Sequence, residues 1–300
     1  FHSSLWDLRE DQTQTDVTVK LSDDSAIPCH KLVLMAASPF FRTMFKSGLT
    51  DTSSGEITLD CCSAETLKLL IEYCYSGEIN LDADNVQEVA TASDFLCLGY
   101  LKGKCEELMK SLVDASNCTQ VYMFGKKFDM KELAAQARKF LLQNFEEISE
   151  TDGFKTLTED ELIEVVTDDE LSAKNEDAVF TAVVNWVYAE EDKRRESFPK
   201  IAHHIRFPYC TNDTLTNVVP FEDLMHNSEC VKLLREAQSI NQNNQNYFHS
   251  GRTIPRHSFT EKRYRLVRYS RPDHCVKSYA IHSSECIDVD DAFVEWTPIC

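Results

Sequence analysis

Three stretches decide how this chain reads: Asp16-Val17-Thr18-Val19-Lys20-Leu21, His30-Lys31-Leu32-Val33-Leu34, and Ser38-Pro39-Phe40-Phe41-Arg42-Thr43-Met44-Phe45. In the first, Val17, Val19 and Leu21 alternate with Thr18, Lys20 and Ser22, the period-two pattern of a half-buried strand. Ser22-Asp23-Asp24-Ser25 follows as a turn. The apolar run 29–37 breaks at Ser38-Pro39, where Ser can cap and Pro can fill the first position of a helix carrying Phe40, Phe41, Met44 and Phe45.

Further along, Ile57 and Leu59 mark another short strand, and Leu67, Leu70, Ile71 and Cys74 line one face of a helix that stops at Ser76-Gly77. Val86, Val89, Ala90 and Phe95, then Leu101, Cys105, Leu108 and Leu112, predict two more helices. Residues 1–113 therefore read as a mixed α/β domain. From 114 to 240 the strand signals vanish: Leu133, Ala137, Phe140 and Leu141 form one helical stripe, and Val179, Phe180, Val183, Val184 and Val187 another. An all-α domain is expected there. The Asn/Gln run 241–245, with Gly251 and Pro255, reads as a linker over 241–258, and strand-like segments resume at 264–269, 276–281 and 285–289.

Three hundred residues are enough for about two domains with their own cores. Hydrophobic residues at 42% and charged residues at 27% are ordinary globular values. The net charge of −19, from 50 acids against 31 bases, repels phosphate backbones and argues against nucleic acid as a main partner. The charge is uneven, because residues 251–300 hold 8 bases and 7 acids. No apolar run has the length of a membrane span, and the start lacks the charged head and apolar stretch of a signal peptide, so no membrane is expected and a cytoplasmic or nuclear place is. With Phe1 in place of Met, the chain reads as a piece of a longer one. Its twelve cysteines are scattered without any Cys-x-x-Cys, and most sit in apolar runs as reduced, small hydrophobes.

The ordered set Asp16-Val17, His30-Lys31 with Leu34, Ser38, Phe41 and Met44-Phe45, followed by Tyr73-Cys74-Tyr75-Ser76-Gly77, resembles the BTB (POZ) domain. Ser116-Asn117-Cys118, 140–145, Glu176-Asp177-Ala178-Val179-Phe180, Trp186-Val187 and His204-Ile205-Arg206-Phe207-Pro208 resemble a BACK domain. Together they resemble a BTB-BACK-kelch (kelch-like) protein over about 240 residues. Ile287-Asp288-Val289 and Glu295-Trp296-Thr297-Pro298 look like the end of a kelch blade, without the paired glycines of that repeat, so 259–300 is taken as a partial kelch repeat at the start of a β-propeller.

The resemblance implies a substrate adaptor of a cullin-3 RING ubiquitin ligase. It would form a homodimer through the BTB domain, recruit cullin-3 through the BTB domain and the following helical pair, and hold an unknown protein substrate through the propeller. Asp16 and Lys31 would line a charged pocket at the dimer interface, and apolar Leu5, Trp6 and Leu8 are candidates for burial across it. The family's hydrophobic-x-Glu cullin contact falls here on Leu49-Thr50-Asp51, with an acid one methylene shorter, and Tyr122, Phe124 and Phe128 are the aromatics available to a groove in the helical pair 117–145. The alternative is a dimeric scaffold, for instance one associated with the cytoskeleton, without ligase activity.

An enzyme is not expected. His203-His204 with Cys210 lacks a nucleophile elbow, the acid runs 159–161 and 168–170 suit helix starts, and 8 glycines in all offer no phosphate-cradling loop with Lys, so no cofactor is expected. His274, Cys275, His282 and Cys286 lack a recognised zinc spacing, and no metal is expected.

Overall fold

A computed structural model describes residues 2–47, 55–242 and 254–256, together with the strand segments 264–266 and 279–281. The chain divides into two bodies: one holds the residues up to Asp114 together with Gln120–Ala137, the other holds Ala115–Thr119 and the chain from Arg138 onward.

The first body is built on a three-stranded sheet in the order β2-β1-β3, with β1 at Val17–Lys20, β2 at Ala26–Cys29 and β3 at Glu56–Thr58. β1 runs antiparallel to β2, Val17 opposite Cys29, and parallel to β3, Val19 opposite Ile57. The alternation read from the sequence holds: Val17, Val19 and Leu21 are buried while Lys20 is exposed. β2 is hidden in the sequence because Ile27 and Cys29 merge into the apolar run that follows. Pro28 is tolerated because β2 is an edge strand, where a missing N–H need not break a ladder.

Six helices complete this body's first part: α1 His2–Glu10, α2 Lys31–Ala37, α3 Pro39–Ser47, α4 Ala64–Ser76, α5 Val86–Phe95 and α6 Gly99–Ser111. Ser38 is fully buried between α2 and α3; its hydroxyl donates to the Leu96 carbonyl at 2.6 Å and accepts the Phe41 N–H at 3.3 Å. That hydrogen bond fixes the start of α3 against the α5–α6 corner. α4 begins at Ser63, whose hydroxyl accepts the Thr66 N–H, and ends at Gly77 in the left-handed region (φ +73°), where a Cβ would be strained.

Two further helices follow, α7 Cys118–Lys127 and α8 Lys131–Gln143. Sequence periodicity places them with the second domain, yet packing gives Gln120–Ala137 to the first body. Met130 and Leu133 are buried in its core. Glu106 accepts the Leu133 N–H at 3.0 Å, Lys110 bonds Glu132 at 2.8 Å, and the Gln136 amide donates to the Lys110 carbonyl at 2.7 Å. α7 and α8 approach so closely at Gly125 that a Cβ there would lie 2.8 Å from the Ala134 backbone nitrogen.

Between 138 and 242 the second body is helical: after the end of α8 come α9 Phe145–Ser149, α10 Asp152–Lys155, α11 Glu159–Thr167, α12 Glu176–Ala189, α13 Glu191–Arg194, α14 Phe198–Ala202 and α15 Ser228–Gln242, joined by short 3₁₀ and π turns. The apolar stripe Val179, Phe180, Val183, Val184 and Val187 of α12 is buried, and the Trp186 indole donates to the Leu157 carbonyl at 2.9 Å. Glu159-Asp160-Glu161 open α11 as expected, with Thr158 and Glu161 forming a capping box. Asp168-Asp169-Glu170 correct the sequence reading: they close α11 rather than start a helix, and two of them bind arginines, Asp168 with Arg138 at 2.5 Å and Asp169 with Arg206.

Two short strands, β4 Tyr264–Leu266 and β5 Tyr279–Ile281, pair antiparallel with Arg265 opposite Ala280. The segment 285–289, the kelch-like ending 287–298 and the group His274, Cys275, His282 and Cys286 lie outside the described residues. Among the described residues no helix is long and apolar enough to cross a membrane, and no group of three or more metal-ligating side chains occurs.

Candidate protein interfaces

Asp16 and Lys31 meet through the backbone. The exposed Asp16 carboxylate accepts the Lys31 N–H at 2.7 Å and so caps α2 from a segment fifteen residues earlier, while the Lys31 ammonium lies 5.8 Å from the centre of the Phe45 ring. A carboxylate at a helix N-terminus satisfies an orphan amide and faces the positive dipole end.

Behind this pair stands His30. Its N–H donates to the Tyr75 hydroxyl at 2.8 Å, its Nδ1 lies 2.9 Å from the same oxygen, and its Nε2 lies 2.9 Å from the Thr13 carbonyl. A carbonyl only accepts, so Nε2 carries the proton and Nδ1 accepts from the Tyr75 O–H. Tyr75 is buried, and that burial raises its phenol to about 12. The network ties the segment after α1 to the core.

α1 carries the apolar residues expected at an interface. Trp6 packs edge-to-face on Tyr75, ring centres 5.9 Å apart at 82°, and the Arg9 guanidinium lies 3.9 Å from the Trp6 ring centre. Leu5 is half-buried and Leu8 is 42% exposed. Sequence reading missed Leu32, 77% exposed directly beside Lys31. The signal was present: in the helical run from Lys31, Leu34 faces the core and Leu32 lies well round the helix from it.

Leu49 and Asp51 lie outside the described residues. Of the three aromatics in the helical pair, Tyr122 and Phe124 are buried and Phe128 is half-buried. The Phe124 and Phe128 rings pack with centres 4.5 Å apart, tilted by 41°, with Lys126 over Tyr122 and Lys127 over Phe128. Lys102 donates to the Phe128 carbonyl at 2.5 Å and pairs with Asp94 at 2.7 Å, holding the α7 end against α5 and α6. Phe128 and the exposed aromatics Phe95 (49%) and Tyr100 (72%) therefore offer apolar surface on this body, whereas Tyr122 and Phe124 chiefly support it. Sequence reading took Phe95 as a helix-stripe residue and passed over Tyr100.

The geometry around Cys210 opposes nucleophilic chemistry. Its thiol is buried, and burial together with nearby Asp177 and Glu176 pushes its pKa upward, the reverse of what a reactive thiolate needs. His203 instead approaches Glu229 at 3.9 Å.

In the second body, Arg256 is buried although it falls in the stretch read as linker. It bonds Glu176 and donates to the Asp168 carbonyl at 2.7 Å. Arg206 donates to the Ile254 carbonyl at 3.0 Å. Residues 254–256 are thus part of this body's packing.

Two family descriptions match the chain: BTB/POZ domain over residues 5–113, and BACK, BTB And C-terminal Kelch, over residues 118–220. The chain belongs to the BTB-BACK proteins. Within that class it is homologous to kelch-like proteins: Kelch-like protein 24 of Homo sapiens is 31% identical over 84% of this chain and 42% of its own length, and Kelch-like protein 21 of Danio rerio is 31% identical over 79% and 38%. The BTB domain of zebrafish PATZ1 is 24% identical, covering 37% of this chain and 88% of that one with a TM-score of 0.33. The chain spans about two fifths of the length of these curated kelch-like relatives.

Proposed function

We propose that this chain is the dimerising and recruiting portion of a non-catalytic substrate adaptor for a cullin-3 RING ubiquitin ligase, acting in the cytoplasm or nucleus, with substrate choice left to a C-terminal propeller. The observation that carries the reading is the packing of Gln120–Ala137 into the first body's core. That packing joins the central part of the helical pair implied in cullin contact to the first body, which supports a docking face shared between the two. Dimerisation is supported by the exposed apolar Leu8 on α1 and Leu32 next to the Asp16-capped Lys31.

The test is calorimetric titration of the chain with the amino-terminal helical domain of cullin-3, alongside light scattering of the free chain. Saturable binding and a dimer mass are expected. No binding heat under any condition would leave the scaffold alternative standing, and a monomer mass at micromolar concentration would remove the dimer.

A further inference from the structure

Adjacent residues on an extended strand point to opposite faces. Cys61 and Cys62 do not follow that rule, because the backbone bends at both positions after β3, and their Sγ atoms lie 3.8 Å apart. Both side chains are half-buried at the edge of the first body's core. Two bonds of about 2.3 Å from thiolates to a common centre, opening at roughly 110°, span the same separation, so the pair already has the bite of a chelate.

Its chemistry differs from that of the other described cysteines. Desolvation raises the Cys29 and Cys74 thiols to about 12 and the Cys105 thiol to about 11, while Cys97 is exposed and stands alone. The two sulfurs share one hydrogen bond in which either can be the donor, and that contact drives their pKa values apart, lowering Cys61 and raising Cys62. One sulfur is thus readied as nucleophile with a second beside it. Asp60 and Glu88 add negative charge around them, which disfavours anionic reagents such as glutathione disulfide and leaves neutral ones unopposed.

We propose that Cys61 and Cys62 form a dithiol site that chelates a neutral trivalent arsenical. The two thiols react with an organic arsenoxide, R–As=O: two As–S bonds form, the As=O bond breaks, and its oxygen leaves with the two thiol protons as one water. No electron is transferred and no oxidant is needed. The site is coupled to the fold through Ser63, the next residue, which caps α4 and is held by Glu88 through its N–H at 2.7 Å and its hydroxyl at 2.9 Å. Bridging the sulfurs pins the bend that leads into this cap.

The experiment exposes the reduced full-length chain to phenylarsine oxide and follows it by intact mass and melting temperature. The expected result is an adduct that survives excess glutathione, a monothiol, and is removed by dithiothreitol, with a rise in Tm of about 5 °C at a hundredfold excess over Kd. Cys61→Ser and Cys62→Ser should each hold one arsenical fewer than wild type under glutathione. A peptide map of loaded wild type, which needs no variant to fold, should show Cys61 and Cys62 protected from alkylation. Equal stoichiometry in wild type and variants, removal by glutathione, or full alkylation of both cysteines in the loaded protein would each overturn the assignment.

Discussion

Arg256 and Glu176 form an ion pair in which both side chains are wholly excluded from solvent, Nε to Oε1 at 2.5 Å and Nη2 to Oε2 at 3.2 Å. Their other bonding capacity is also used: Arg256 Nη1 donates to the Asp168 carbonyl, and Glu176 Oε2 accepts the Arg206 N–H at 3.2 Å. Glu176 is the first residue of α12, so its charge also faces that helix's positive end. A charge pair this dry persists only with such satisfaction, and its structural effect is to seat 254–256 on the second body.

Removing one partner should therefore be worse than removing both. Glu176→Leu, which strands the Arg256 guanidinium in the core, is expected to destabilise by about 3–5 kcal/mol, and Glu176→Leu with Arg256→Met should recover a large part of that loss. Chemical denaturation followed by far-UV circular dichroism reads both. A double variant as unstable as the single one would show that packing, not the unpaired charge, sets the cost.

A second device sits where α4 meets α5. Glu88 accepts hydrogen bonds from the Thr66 hydroxyl and from the Ser63 N–H and hydroxyl, and these hold its carboxyl below its ordinary pKa. A depressed carboxylate stabilises the fold above its unfolded value, about 4.3, and loses that contribution as pH falls through the folded value. Glu88 is exposed, so screening limits the effect, and Glu88→Gln should cost about 0.5–1 kcal/mol at pH 7 with the difference from wild type vanishing in acid. A gap that stays constant from pH 7 to pH 3 would contradict this.

At Gly125 the close approach of α7 and α8 leaves no room for a methyl group, since the obstacle is the Ala134 backbone rather than a movable side chain. Gly125→Ala gains helix propensity yet should destabilise by about 1–3 kcal/mol through forced separation of the two helices. If the helical pair carries cullin contact, the same substitution should weaken binding. A Tm at or above that of wild type would show that the pair can slide apart freely.

Much of this organisation was legible because it repeats locally. The Val17-Val19-Leu21 alternation, the Ser38-Pro39 helix start, the Gly77 stop and the α12 stripe each follow from spacing within a few residues. What escaped depends on distance along the chain. Arg256 looked like linker because its partner is 80 residues away, and Asp168-Asp169 looked like a helix start because Arg138 and Arg206 cannot be seen from their neighbourhood. Tyr122 and Phe124 read as groove candidates because an aromatic on an amphipathic helix looks the same whether its stripe meets a core or a partner.

Dimerisation should be sensitive to Leu32. It is among the most exposed large apolar residues of the first body and adjoins the Asp16-capped start of α2. Leu32→Asp should shift the light-scattering mass toward the monomer at micromolar concentration by placing a charge in an apolar contact, with the far-UV spectrum unchanged because the side chain touches little of its own core. Asp16→Ala should cost about 1 kcal/mol through the lost cap and weaken the dimer less than Leu32→Asp. A full dimer with Leu32→Asp would exclude this face of α2 from the interface.

Cullin binding separates the adaptor from the scaffold most sharply through two substitutions with opposite expected effects. Leu49 stands at the hydrophobic position and Asp51 at the acidic position of the contact that the kelch-like resemblance implies. A buried unpaired charge is far costlier than a lost apolar contact, so Leu49→Asp should abolish binding of the cullin-3 amino-terminal domain. Asp51→Glu lengthens the acid by one methylene and should preserve or tighten binding, since a charged hydrogen bond made at full length contributes about 1.5–3 kcal/mol. Calorimetry on wild type and both variants gives three distinguishable patterns. Loss with Leu49→Asp and retention or gain with Asp51→Glu supports the adaptor, while indifference to both places the contact elsewhere. Binding by Asp51→Glu alone would mean that the shorter acid has cost this chain its ligase, and a dimeric scaffold would then be the better account of it.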